Sequence, residues 1–120
     1  MPVPILKQGD TLIASVVAAL TDDDLIGLRD DLAQRIGKVR ARSVVIDVTA
    51  LDVLDSFATR TLRGIAYTAR LRGSETVIVG IQPEVAFTLV QLGLTLEGVS
   101  TALDLEEGLA LLERKKQERR

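Results

Sequence analysis

Apolar positions change their period several times along the chain. Residues 3–6 and 11–17 are rich in β-branched and aliphatic side chains. Gln8-Gly9-Asp10 between them has turn chemistry, so the two runs predict a hairpin. From Thr21 the spacing becomes helical: Leu25, Leu28, Leu32 and Ile36 recur on one stripe. Thr21 can cap the free amides of that helix, and Asp22, Asp23 and Asp24 suit its positive end. Residues 43–48, Ser-Val-Val-Ile-Asp-Val, form the short apolar run of a buried strand. A loop over 49–55 then leads to a second helix over 56–72. Its inward stripe is Ala58, Leu62, Ile65, Ala66 and Ala69, and Gly73 is a natural stop. Residues 76–80 give another buried strand. Pro83 suits the first turn of a third helix that ends near Gly93. Residues 96–100 predict a short edge strand. Asp104 with Glu107 makes a capping-box-like start for a last helix, with Leu105, Leu109 and Leu112 inward.

Strands alternating with helices in this way argue for an α/β fold, a mixed sheet of four to five strands with helices packed on it. Without an internal repeat, low-complexity block or Pro/Gly/Ser-rich linker, the sequence reads as a single domain over 1–120, with a basic helical tail at 113–120.

Composition narrows the chemistry. Hydrophobic residues make up 47% of the 120, enough for a packed core, yet aromatics are only 2%, so that core must be aliphatic. The chain has no Cys and no His. That removes disulfides, thiolate zinc sites, a cysteine nucleophile and the commonest general base. A non-enzymatic binding module without cofactor or metal is the expectation. The first residues lack the charged start and apolar run of a signal peptide, and no apolar stretch is long enough to span a bilayer. The chain therefore reads as a cytoplasmic protein with no membrane association. Residues 114–120 carry a net +4 of a total of −2, which leaves −6 for the remainder. A basic tail can mark nucleic-acid binding. Without a second basic-aromatic patch it reads as a solvated, frayed helix end whose cations suit the dipole, and no nucleic-acid partner is expected.

Candidate chemistry gathers between the strand at 43–48 and the second helix. Asp47, Thr49, Asp52, Asp55 and Ser56 fall within ten positions, in the kind of strand-to-helix loop where functional groups collect. Three readings stand side by side. Asp55-Ser56 can be a plain helix start, since Ser is a preferred N-cap. Asp47, Asp52 and Asp55 can be a magnesium site in an enzyme or nucleotide-binding domain, although no calcium-loop pattern or Gly-rich phosphate loop accompanies them. Or Ser56 can be a modification site, where free amides and the helix dipole would favour a phosphate. Thr59 and Thr61 are secondary acceptor candidates, because their hydroxyls can bond back to the helix. The outer face of this helix carries Arg60, Arg63, Tyr67 and Arg70. It is either a solvated basic face or a docking surface for an acidic partner.

Val-Ile-Asp-Val-Thr (45–49), Leu-Asp-Ser-Phe-Ala (54–58), Gly-Ile-Gln-Pro (80–83) and Thr-Ala-Leu-Asp (101–104) resemble the STAS family. This is the family of anti-sigma-factor antagonists and of the cytoplasmic domains of sulphate transporters. The resemblance covers essentially the whole chain, and its motifs are most similar to the small stressosome scaffolds of the RsbS type. It implies a phosphoprotein of bacterial stress-response signal transduction. Ser56 would be the phosphoacceptor; beside the resemblance, the reading of the residues themselves keeps Thr59 as a second acceptor and takes Asp55, Arg60, Arg63, Tyr67 and Arg70 as the expected partner-binding residues. The implied partners are a Ser/Thr switch kinase, STAS-containing paralogues in a large assembly, and a phosphatase that resets the system. The unmodified scaffold would sequester the kinase and release it when phosphorylated. The alternative is an anti-sigma-factor antagonist that binds an anti-sigma kinase directly. Homodimer formation is left open.

Overall fold

The computed structural model describes residues 3–17, 20–94 and 96–118. Strands β1 (Ile5–Gln8) and β2 (Thr11–Ser15) pair antiparallel with Gln8 opposite Thr11. Gly9-Asp10 is therefore a two-residue hairpin turn, and Gly9 takes the positive φ of 61° that such turns need. Helix α1 (Asp22–Val39) follows, then β3 (Ser43–Asp47), α2 (Ser56–Leu71), β4 (Glu75–Val79), α3 (Pro83–Gln91), β5 (Ser100–Ala102) and α4 (Leu105–Glu118). The sheet is five-stranded, in the order β1-β2-β3-β4-β5. Strands β2 to β5 run parallel, and β1 is the antiparallel edge.

That order dictates the layering. Each step from one parallel strand to the next moves the same way across the sheet. Right-handed crossovers then place α1, α2 and α3 on one face. Leu12, Ala14, Val44, Ile46 and Ile78 meet Leu28, Leu32, Leu62, Ile65, Val85 and Leu89 there in one buried cluster. Helix α4, which follows the last strand among the described residues, covers the opposite face, where Ile13, Val45, Val77 and Val79 pack with Leu112, flanked by Leu105 and Leu109. Gly108 marks where α4 crosses the sheet: a Cβ at that position would lie 2.6 Å from Val79 Cγ1.

Two expectations need correction. The last strand is not at 96–100 but at Ser100–Ala102. The Val99 amide donates to the Leu96 carbonyl at 3.1 Å, closing a turn over Glu97-Gly98 in which Gly98 has a φ of 78°. Leu96 and Val99 are apolar because they pack on the core from this turn, not because they pair in a strand. The basic tail is also not simply a solvated helix end. Helix α4 continues to Glu118, and Lys116 Nζ donates to Asp10 Oδ1 at 2.5 Å while Lys115 Nζ donates to Ser100 Oγ at 2.7 Å. Asp10 and Glu75 stand at the N-terminal ends of the strands and draw both lysines down onto the sheet. Arg119 and Arg120 lie outside the described residues.

Candidate functional site

Every parallel strand is followed by a helix whose N-terminus sits at the strand's C-terminal end, so the positive ends of α1 to α4 gather at one pole of the sheet. The loop between β3 and α2 lies there, and it is built from Asp47 outward. The Asp47 carboxylate accepts from the Thr49 amide at 2.9 Å and from the Thr49 hydroxyl at 2.6 Å, an Asx-type turn that closes the strand. Gln82 Nε2 donates to the Thr49 carbonyl at 2.7 Å and ties this loop to the one after β4. Gly80, with a φ of 83°, passes so close to Thr49 that any Cβ there would overlap its hydroxyl. Leu54 is buried and pins the far end of the loop to the core, while Val53 beside it is exposed.

The chain then enters α2. Asp55 is the N-cap: its backbone is extended and its Oδ1 accepts from the Ala58 amide at 2.7 Å. Ser56 is the first helical residue and not the cap. Its side chain is half-buried, and among the described residues its hydroxyl has no hydrogen-bond partner. The plain helix-start reading therefore accounts for Asp55 and leaves Ser56 without a structural task. Thr59 is fully buried with its hydroxyl donating to the Asp55 carbonyl at 2.9 Å, and Thr61 donates to the Phe57 carbonyl at 2.8 Å. A kinase would reach Thr59 only after local opening of the helix.

Beside this helix start, Asp22, Asp52 and Asp55 rim an open cleft of about 290 Å³ floored by Leu20, Leu25, Leu51 and Ala58. Thr21 and Asp24 form a reciprocal capping box on α1, and the Thr21 amide holds the Asp24 carboxyl below the ordinary carboxylate range. The three carboxylates of the magnesium reading do not converge. Oδ1 of Asp47 is taken up by Thr49, that of Asp55 by Ala58, and among the described residues no group of three or more metal-ligating side chains forms.

The basic face of α2 is present but uneven. Arg60, Tyr67 and Arg70 are exposed and Arg63 is half-buried. The Arg70 guanidinium donates to the Gly98 carbonyl and so is engaged in holding the turn before β5. The face runs down the helix away from Ser56, so it and the loop form two patches with Asp55 and Arg60 at their border. The pattern of single residues gave no sign of the Thr49–Gly80–Gln82 contact, although Gly80 just past a buried strand and ahead of Pro83 marks where backbones can approach closely.

The model of the STAS domain matches residues 3–108. The chain belongs to the STAS-domain family. Over 96% of its length it superposes on a serine-to-glutamate variant of RsbS from Moorella thermoacetica, covering 97% of that chain at 40% identity and a TM-score of 0.84. A component of the stressosome, described as a signal integration and transduction hub, is 41% identical over 94% of this chain and 98% of its own, with a TM-score of 0.80. The RsbT co-antagonist protein RsbRA of Bacillus subtilis is 32% identical over 82 residues, 68% of this chain but 30% of that protein. The STAS domain thus spans about a third of the length of the co-antagonists it matches. Its relatives include RsbS, a chain of the stressosome and RsbT co-antagonist proteins, and no helix among the described residues is long and apolar enough to cross a membrane.

Proposed function

We propose that this STAS domain is a phosphorylation-switched scaffold of a stressosome-type assembly. It binds a Ser/Thr switch kinase together with STAS-containing paralogues and releases the kinase once Ser56 is phosphorylated; a phosphatase resets it. The observation that carries this reading is the position of Ser56: helix capping is done by Asp55, so the Ser56 hydroxyl is left unpartnered at the first turn of α2. A phosphate there would meet the amide end of the helix, so the modification is compatible with the fold. It would also add about −1.5 to −2 charges to a surface already lined by Asp22, Asp52 and Asp55. A partner seated on that surface would be displaced by charge, with no unfolding required. The basic face of Arg60, Arg63 and Tyr67 would supply a second contact, for an acidic partner.

Incubation with the cognate switch kinase and ATP, followed by intact-mass measurement and peptide mapping, tests the assignment. One phosphate on the peptide holding Ser56, absent from Ser56→Ala, is the expected result. Phosphate appearing instead on Thr59, or persisting in Ser56→Ala, would overturn it. A stable two-component complex with a kinase, and no large assembly with paralogues, would speak for the direct anti-sigma-factor antagonist.

A further inference from the structure

The flank of the domain between β1 and α1 carries a charged surface that no part of the proposed switch uses. An open groove of about 420 Å³ runs there, with an apolar floor of Leu12 and Val39 and a rim of Lys7, Arg35, Lys38 and Asp31. Asp31, Arg35 and Lys38 follow one another at i, i+4 and i+7 on one side of α1, and Lys7 comes from the edge strand. Three cations against one carboxylate leave the groove at a net +2. None of the three cations has an ion-pair partner among the described residues. Arg35 Nη1 donates instead to the Ile5 carbonyl at 3.4 Å. The other end of α1 has the opposite sign. Its 18 residues span about 27 Å, and Asp22 and Asp23 stand exposed in its first turn.

The helix dipole accounts for Lys38 near one end of α1 and for acids at the other. It does not account for Lys7, which stands on a different element and completes the basic rim. The form of the groove narrows what can fill it. Every side chain named in it except Leu12 is exposed, so a small ligand would stay wet over most of its surface, unlike the occupant of an enclosed site. An added strand is discouraged as well. The edge at β1 is short, carries Pro4 and Lys7, and has the Ile5 carbonyl covered by Arg35. What fits is a protruding acidic element that is not a strand, and the chain itself supplies one. The exposed Asp22 and Asp23 carry −2 against the +2 of the groove, and outweigh the roughly +0.5 charge of the helix end beneath them. We infer that two copies of this chain meet head to tail, with the acidic start of α1 from one copy seated in the β1–α1 groove of the next. Such a contact joins two different surfaces, so it leaves one of each unused and continues into a chain or closes into a ring.

Sedimentation velocity of the full chain alone, up to millimolar concentration in low salt, tests the inference, with circular dichroism to confirm that each variant is folded. Association that proceeds past a dimer, and that weakens as salt screens the charges, is expected. Neutralising the groove with Lys7→Gln and Lys38→Gln should weaken it at least tenfold, and so should neutralising the helix start with Asp22→Asn and Asp23→Asn. Each double variant keeps one intact surface, so an equimolar mixture of the two should form a dimer that does not grow. A wild type that stays monomeric overturns the inference; if polyglutamate then binds it and not the Lys7→Gln, Lys38→Gln variant, the groove serves an acidic partner of another kind. Association that both double variants leave intact also overturns it, and would place the contact elsewhere, with the exposed Phe87 and Val90 of α3 as the next surface to probe. Failure of the folded variants to pair when mixed overturns the head-to-tail geometry. Neither a kinase nor modification of Ser56 takes part, so these outcomes leave the phosphorylation reading to its own test.

Discussion

At one pole of the sheet, Lys116 reaches Asp10 across 106 positions of sequence, Lys115 reaches Ser100, and Arg42 and Ser43 donate their amides to the Asp10 carbonyl. At the other pole, hydrogen bonds hold the backbone of the loops, Leu54 and Ala58 close to Ser56 are buried, and several other side chains are open to solvent. Val53 is 73% exposed and Leu103 77%. The first pole ties the hairpin turn and the last helix to the sheet, although Ser74 and Thr76 around the start of β4 keep buried hydroxyls without a partner among the described residues. The second fixes where Ser56 stands and keeps its surroundings open. The proposed switch, in which the same hydroxyl would meet first a kinase and then a phosphatase, would need this combination of a rigid base and an uncommitted surface.

The largest expected effect comes from breaking the rigid base. Gly80→Ala forces a side chain into a left-handed backbone position and onto the Thr49 hydroxyl. Left-handed strain and overpacking together should destabilise the domain by about 3 kcal/mol. Urea unfolding measures this directly. A loss below about 1 kcal/mol would mean that the Thr49 loop yields easily and that the Ser56 pole is less rigid than the contacts indicate.

Next in size is the cap. Asp55→Ala removes the acceptor of the Ala58 amide and should lower stability by about 1 kcal/mol, whereas Asp55→Ser should recover most of it. Calorimetric melting of the two variants tests this. If Asp55→Ala is neutral, the cap has passed to Ser56, and the separation of tasks between the two residues fails with it.

How far the sequence reveals these two poles depends on the range of the contacts. The stripes Leu25, Leu28, Leu32, Ile36 and Ala58, Leu62, Ile65, Ala66, Ala69 are all buried as their spacing requires. Amphipathic periodicity is a local property that a folded sheet simply reads out. Ser56 was legible as a candidate because strand-to-helix loops are short and their polar residues stand out. The assignment of the cap was not legible, since Asp and Ser are both good N-caps and only the backbone geometry shows that Asp55 fills the position. Contacts between distant parts of the chain were out of reach. Gln82 meets Thr49 over 33 positions, and the lysines of the tail look like any solvated helix end until the hairpin turn is placed beneath them. The strand misplaced at 96–100 shows a different limit. Leu96 and Val99 bury themselves from a turn, and apolarity alone does not separate that from a strand.

A smaller effect is expected at the tied pole, and it has a pH signature. The hydrogen bond from Lys116 holds the Asp10 carboxyl below the ordinary carboxylate range. A depressed folded-state value means that the pair stabilises the native state above the unfolded-state pKa of about 3.9 and loses that contribution as pH falls through the lower, folded-state value. Both side chains are partly exposed, so screening limits the contribution to about 0.5 kcal/mol near neutrality. Asp10→Asn should therefore melt slightly below wild type at pH 7 and together with it in strong acid, and the gap should narrow at high salt. A gap that persists unchanged to low pH would mean that the substitution acts through something other than the charge of the Asp10 carboxylate, since the backbone carbonyl is the same in both proteins.

The smallest expected effect on stability is also the one that separates the two poles most cleanly. Ser56→Asp puts a carboxylate at the first turn of α2, where the amides and the dipole favour negative charge, so the fold should be unchanged or gain about 0.3 kcal/mol. The same substitution adds charge to the surface on which the kinase is proposed to sit, and capture in a pull-down with that kinase should fall well below wild type. A carboxylate carries only part of a phosphate's charge, so the loss should be smaller than that produced by phosphorylation itself. The informative result is the pair of measurements. Unchanged melting with weakened capture places the switch on the surface, acting by electrostatics. Weakened capture accompanied by a melting temperature several degrees lower would instead mean that charge at Ser56 disrupts the helix start. In that case phosphorylation would act by loosening the Thr49–Gly80 base, and Gly80→Ala should then mimic it.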